Sequence, residues 1–114
     1  MNILMILNDP PYGTERNYNA LRLAKALASK GARVDVFLMA DAVACAKAGQ
    51  KVPQGYYRVE LMVKAAARNG EVLLCGTCMD ARALTDEEVV AGARRSTMDE
   101  LAERTLAADQ VLVF

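Results

Sequence analysis

Asn2-Ile3-Leu4-Met5-Ile6-Leu7, followed by Asn8-Asp9-Pro10-Pro11-Tyr12-Gly13, is the stretch that decides the fold. The apolar run has no polar alternation, which is the pattern of a strand covered on both faces and so of a parallel sheet. Two prolines and a glycine then stop it. A parallel neighbour needs a crossover, and the next segment supplies one. A helix is expected from Thr14 or Glu15, with Leu21, Leu23, Ala24, Leu27 and Ala28 facing inward and Gly31 ending it. Arg33 to Met39 is the second strand.

The alternation continues along the chain. Asp41 is expected to cap a short helix running to Lys47 or Ala48, which Gly49 ends. Gln50 to Gly55 is a loop around Pro53. Tyr56 to Arg68 reads as a helix with Val59, Met62, Val63 and Ala66 inward, and Asn69-Gly70 terminates it. Glu71 to Leu74 is a third strand, with Cys75 at its end. Thr85-Asp86-Glu87-Glu88 and Thr97-Met98-Asp99-Glu100 are capping boxes. The second should open a helix to about Ala107, with Leu101 and Leu106 inward and Asp99, Glu100, Glu103 and Arg104 on a solvated face. Gln110 to Phe114 is the last strand. At least four parallel strands alternating with helices predict an α/β fold: a single-domain, doubly wound, mainly parallel sheet over residues 1–114, with helices on both faces.

Composition agrees with this fold and excludes several functions. The chain has 114 residues, 54% hydrophobic and 25% charged, enough for one core without metal or disulfide staples. Fourteen basic and fourteen acidic residues balance, and no basic run occurs. No nucleic acid and no membrane surface is therefore expected as a partner. The apolar runs are shorter than a bilayer span. The N-terminal segment lacks the flanks of a signal peptide, so a cytoplasmic location is expected. There is no histidine, which removes Ser-His-Asp and Cys-His catalysis and most zinc and iron sites. Neither G-x-G-x-x-G nor G-x-x-x-x-G-K-[ST] occurs, so no cofactor is expected.

What remains is thiol chemistry. Cys75-Gly76-Thr77-Cys78 places two thiols where a buried strand turns toward a helix, and ligands of doubly wound sheets gather at that end of the strands. The same rule gathers Asn8 and Asp9 after the first strand and Ala40 and Asp41 after the second. A thiolate is the reactive form. Backbone N–H groups at the turn, the Thr77 hydroxyl and the Arg82 charge are expected to stabilise it, and Gly76 to let the backbone approach closely. The bland alternative is that both cysteines are small buried hydrophobes. Cys45, in the Ala-rich segment after Asp41, is read as core filler. Asp41 is read as a helix cap in preference to a proton acceptor. The Asn8–Thr14 loop, with Tyr12, either walls the cysteine pocket, binds a partner's tail, or is a rigid turn. Tyr12, Tyr18, Tyr56 and Tyr57 lie in or beside loops and suit subunit contacts. A thioredoxin-type site is disfavoured: no Trp precedes the pair and no Pro follows Pro53.

Three segments together carry a family resemblance: Asn8-Asp9-Pro10-Pro11-Tyr12-Gly13-Thr14-Glu15-Arg16, Phe37-Leu38-Met39-Ala40-Asp41-Ala42-Val43, and Cys75-Gly76-Thr77-Cys78-Met79-Asp80-Ala81-Arg82. In this order, over nearly the whole chain, they resemble the DsrE/DsrF-like (YchN-like) proteins. The resemblance implies a small cytosolic flavodoxin-like three-layer sandwich that assembles as a trimer or hexamer. It implies persulfide sulfur carried on a cysteine near a subunit interface, with protein sulfur donors and acceptors as partners. Cys75 matches that cysteine by position, Arg82 fits a basic residue beyond it, and Cys78 belongs to a YchN-like subset. The expected function is therefore a sulfur carrier of sulfurtransferase type on Cys75. The alternatives are a Cys75–Cys78 redox switch and an oligomeric module that binds a small ligand or a partner without catalysis.

Overall fold

The structure, a computed structural model, covers residues 1–114. Its strands are β1 (Asn2–Leu7), β2 (Arg33–Leu38), β3 (Val72–Cys75), β4 (Ala93–Ser96) and β5 (Gln110–Val113). They form one sheet in the order β4-β3-β2-β1-β5, and every pairing is parallel. The helices are α1 (Arg16–Ser29), α2 (Val59–Asn69), α3 (Gly76–Ala81) and α4 (Met98–Ala107), with 3₁₀ segments over Ala40–Ala46 and Asp86–Glu88.

The strand order explains the layers. From β1 to β4 each strand adds on the same side of the last. Right-handed crossovers then place their helices on one face of the sheet. The final crossover runs back past β1 to β5, so α4 falls on the other face. The side chains follow this division. Ile3, Met5, Leu7, Val34, Val36, Leu38, Val72 and Leu74 point into a large cluster with residues of α1, α2 and Met79 of α3. Leu4, Phe37, Leu73 and Cys75 point the other way and meet Leu101 of α4. Each fully buried Leu or Phe contributes about 1.5–3 kcal/mol, so the run read as covered on both faces is held from both sides.

Several elements differ from expectation. The buried stripe of α1 is Asn17, Ala20, Leu21 and Ala24. Leu23 lies off it and is 38% exposed. The helix expected from Tyr56 begins at Val59; Tyr56 and Tyr57 instead pack at a tilt against Tyr12, with ring centroids 6.4 and 5.8 Å away. Asp41 makes no cap hydrogen bond; Met39 holds the cap position of that 3₁₀ segment. The Thr85 capping box forms in full but opens only one 3₁₀ turn. Thr97 accepts the Glu100 N–H at 3.1 Å, while the Glu100 carboxylate turns away to Arg94 and Ser96. Leu106 is 89% exposed: five residues past Leu101, it has rotated off the buried face of α4. The strand β4 was not expected at all.

Two contacts fix the approach of the loops. Glu60, buried, accepts the N–H groups of Gly49 and Gln50 at 3.0 Å each and pairs with Arg58 at 2.8 Å. Burial pushes its carboxyl up, but Arg58 and the two N–H groups outweigh this and hold it below the usual range. Gly70 lies so close to β2 that a Cβ there would stand 1.9 Å from the Val34 carbonyl oxygen.

Candidate functional site

Cys75 ends β3 and occupies the cap position of α3. The strand-to-helix turn folds the following N–H groups back, and the Cys75 sulfur accepts the Cys78 N–H at 3.4 Å. Cys75 is 8% exposed and faces the α4 side of the sheet. Cys78, one turn on, is half-buried and packs against both hydrophobic clusters. Its sulfur accepts the backbone N–H of Ala40 at 3.2 Å. Ala40 has φ of +50°, a left-handed conformation that costs a non-glycine residue about 1 kcal/mol. A strained amide from the end of β2 is thus held against a sulfur from the end of β3. All three cysteines are free thiols.

The electrostatics oppose the expectation of an activated Cys75. Burial pushes its thiol above the ordinary 9.0, and the neighbouring Cys78 thiol adds to this; the N–H groups of Cys78 and Thr77 pull the other way without prevailing. Arg82 does not supply the missing charge. Its Nε donates to Asp41 Oδ1 at 2.9 Å and its Nη1 donates to the Cys78 carbonyl at 3.1 Å. Asp41 is therefore an ion-pair partner that ties the β2 loop to the end of α3, neither a helix cap nor a free base. Thr77 offers Cys75 its backbone N–H, and no contact from its hydroxyl reaches the sulfur. The balance holds Cys75 toward its protonated form.

Gly76 sits in a tight space. A Cβ there would sit 3.0 Å from Arg95 Nη1 and 3.1 Å from the Ser96 carbonyl oxygen. Arg95, which the sequence did not single out, donates to the Gly76 carbonyl at 3.1 Å and to Asp80 and Asp86 at 3.0 and 2.9 Å. It clamps α3 to β4 and so fixes the turn that carries the cysteines. Arg95 carried no signal because its strand was not recognised; Ala40 was placed at the sheet end by its position after β2, but its backbone N–H contact to Cys78 was not readable from an alanine.

The loop after β1 is built for other contacts. Asn8 donates its backbone and side-chain N–H groups to the Phe114 carbonyl, both at 3.1 Å, closing the point between β1 and β5 where the strand order reverses. Asp9 accepts from the Thr14 hydroxyl at 2.6 Å. Tyr12 donates to Gln50 Oε1 at 2.5 Å and accepts the Val59 N–H at 3.1 Å. The loop is a rigid turn against Gln50 and α2, and the structure does not bring Tyr12 to the cysteines. Beneath it Asn17 donates to the carbonyls of Asp9 and Pro10 and to the sulfur of fully buried Cys45. Burial pushes the Cys45 thiol up to about 12.

The residues brought together are Cys75, Gly76, Thr77, Cys78, Asp41 and Arg82, with Ala40 and Arg95 added. Asn8, Asp9 and Tyr12 stand apart from them. The two main hollows also lie elsewhere: a groove of about 630 Å³ between α1 and α2, and one of about 330 Å³ at the amino ends of β1 and β2. No group of three or more His, Cys, Asp or Glu residues is arranged to hold a metal ion. No helix is long and apolar enough to cross a membrane.

An open, all-parallel five-stranded sheet with a thiol pair at the carboxyl end of its third strand defines a class of small α/β proteins. The chain belongs to the DsrE/DsrF-like family, whose profile matches residues 1–114. It is 40% identical to Protein YchN of Escherichia coli K12, over 98% of this chain and 97% of that protein. It is 34% identical to an uncharacterized protein of Methanopyrus kandleri, over 98% of this chain and 93% of that one. The crystal structure of the Escherichia coli ychN protein superposes with a TM-score of 0.90 at 39% identity, covering 100% and 99% of the two chains. A protein of unknown function from Methanobacterium thermoautotrophicum shares the fold, with a TM-score of 0.77 at 11% identity over 99% of this chain and 97% of that one.

Proposed function

We propose that the protein is a sulfur carrier that holds persulfide sulfur on Cys75 and passes it to an acceptor thiol. The observation that supports this most is the pairing of two neighbouring free thiols, each sulfur accepting a backbone N–H, at the carboxyl end of β3. Membership of the DsrE/DsrF-like family supports the same reading. Cys75 attacks the outer sulfur of a donor persulfide R–S–SH. A sulfur–sulfur bond to Cys75 forms, the donor's sulfur–sulfur bond breaks, and R–SH leaves with the proton from Cys75. No external oxidant is needed. Cys78 then takes the outer sulfur: a sulfur–sulfur bond to Cys78 forms, the one to Cys75 breaks, and Cys75 takes up the proton that Cys78 gives up. The raised Cys75 thiol keeps the unloaded protein protected from adventitious oxidation, since the thiolate is the oxidisable form. The partners in this reading are a sulfur donor and an acceptor protein, and the working form is a cytoplasmic homo-oligomer, trimeric or hexameric.

The test is labelled-sulfur transfer from a persulfide donor to the wild type, Cys75→Ser and Cys78→Ser. Loading abolished by the first substitution, and retained but not passed on with the second, is expected. Full loading of Cys75→Ser would end the proposal. The proximity of the two thiols also supports a redox switch, and mass distinguishes the two: gain of a sulfur atom marks the carrier, loss of two hydrogens the switch.

A further inference from the structure

The larger of the two main hollows lies away from the cysteines, between α1 and α2, and holds about 630 Å³. Both helices follow parallel strands of one sheet, so they run side by side in the same direction. Small side chains open the space between them. Ala24 of α1 and Ala65 and Ala66 of α2 line it, together with Leu21, Met62 and Val34. Tyr18 and Tyr57, with ring centroids 4.3 Å apart, stand where the two helices begin. Lys25, Arg68 and Asn69 stand where they end. The ten residue steps from Arg58 to Arg68 correspond to about 15 Å of helix. The groove is thus a trough with an aromatic end, an apolar middle and a basic end.

The charges around it are all of one sign: four basic side chains line the groove and no acidic one does. Two of the four are engaged. Arg58 pairs with Glu60, the only carboxylate on the two helices. Arg22 lies 5.4 Å over the Tyr18 ring and donates to Asn19. Lys25 and Arg68 are exposed and have no acidic partner. An unmatched positive pair therefore stands at one end of an apolar trough, and its complement is an anion with an apolar body. The shape narrows the body further. The stacking partners of Tyr18 and Tyr57 are already in place, since the rings pack on each other, on Arg22 and on Tyr56, so a planar ring gains little there. A helix about 10 Å across and 15 Å long fills upwards of about 1,000 Å³, more than the trough holds. An alkyl chain fits both the width and the lining.

We propose that the α1/α2 groove binds a single-chain amphiphilic carboxylate, a fatty acid of medium length. Its carboxylate sits on Lys25, Arg68 and Asn69, and its chain runs past the alanines toward Tyr18 and Tyr57. The volume lies within the range of small-molecule sites, about 300–1,000 Å³. The chain supplies most of the affinity, because each buried methylene raises it about fourfold. The charges select the head group, through a guanidinium that can meet both carboxylate oxygens at once. The site goes beyond the sulfur reading and uses none of the cysteines.

Titration calorimetry of the full chain with dodecanoate, kept below its micelle concentration, tests this, with circular dichroism to confirm that each variant folds. One saturable site per chain is expected. Decanoate, two methylenes shorter, should bind about tenfold more weakly. Dodecyltrimethylammonium, with the same chain and the opposite charge, should not compete. The double substitution Lys25→Glu with Arg68→Glu should weaken dodecanoate about tenfold or more and leave uncharged dodecanol within about twofold. Ala65→Leu, which fills the trough, should weaken both ligands. Leu61→Ser, at a half-exposed position in the lining, serves if that variant folds poorly. Cys75→Ser should bind dodecanoate like the wild type, so this proposal and the sulfur reading fail separately. Absence of saturable dodecanoate binding overturns the proposal, as do equal binding of the ammonium compound and binding indifferent to the groove substitutions. An acidic amphipathic peptide that binds where dodecanoate does not would also overturn it, and would assign the groove to a protein partner.

Discussion

Cys75 and Cys78 look equivalent in sequence and differ in place. Cys75 is buried on the α4 face, and Cys78 is half-buried at the sheet end with the strained Ala40 amide on its sulfur. Position along the chain was legible, because a short apolar run ending in a Cys-x-x-Cys turn marks a strand end. The thiol's acidity was not. Local chemistry suggested a lowered value, but the dominant influence is burial by Leu4, Phe37 and Leu101, residues far away in sequence. A raised thiol means less thiolate at neutral pH than an ordinary cysteine has. Alkylation of Cys75 by iodoacetamide, followed by peptide mass spectrometry against pH, should therefore be slower than that of a free cysteine near neutrality, with its midpoint above the ordinary 9.0. In Cys78→Ala the midpoint should move down, since the neighbouring thiol no longer opposes ionisation. A midpoint at or below the ordinary value in the wild type would contradict this electrostatic account.

At the scale of elements, apolar runs were readable and polar ones were not. β1 and β3 are covered on both faces and read as continuous apolar runs, whereas β2 opens with Arg33-Val34-Asp35 before its buried Val36-Phe37-Leu38. β4 is Ala93-Arg94-Arg95-Ser96, an edge strand whose arginines pair with Glu71, Glu100, Asp80 and Asp86. Its strand character comes from pairing with β3, which no local pattern announces. Leu106 was misplaced for a related reason. The helical period alone cannot say which of two apolar positions faces the sheet when only one can. Gly70 shows a constraint of another kind. Its φ of −174° is open to any residue, so the demand for glycine comes from the Val34 carbonyl. Gly70→Ala must push α2 and β3 away from β2, and should destabilise the protein by about 3 kcal/mol. Urea unfolding measures this, and a change within experimental error would show that the β2–α2 approach is soft.

For the whole molecule, the fold class was legible because strand-length and helix-length apolar segments alternate. The order of the strands was not, since the reversal that puts β5 beside β1 depends on which edge is free when the last segment folds. The layered architecture does set a gradient of local stability. β1, β2 and β3 lie within the sheet, while β4 and β5 form its edges and β5 is largely exposed. Amide hydrogen exchange should accordingly be slowest at Met5, Phe37 and Leu73, near the rate set by global unfolding, and fastest in β5. Comparable protection in β5 at micromolar concentration would mean that another chain covers this edge.

One feature joins these scales. The side chain of Cys78 touches both hydrophobic clusters, one on each face of the sheet. It is the sulfur through which α3 rests on both at once. A bulkier or charged group at that sulfur would press on both layers of the core at once, so the seat of α3 on the sheet would loosen as a unit and not on one face alone.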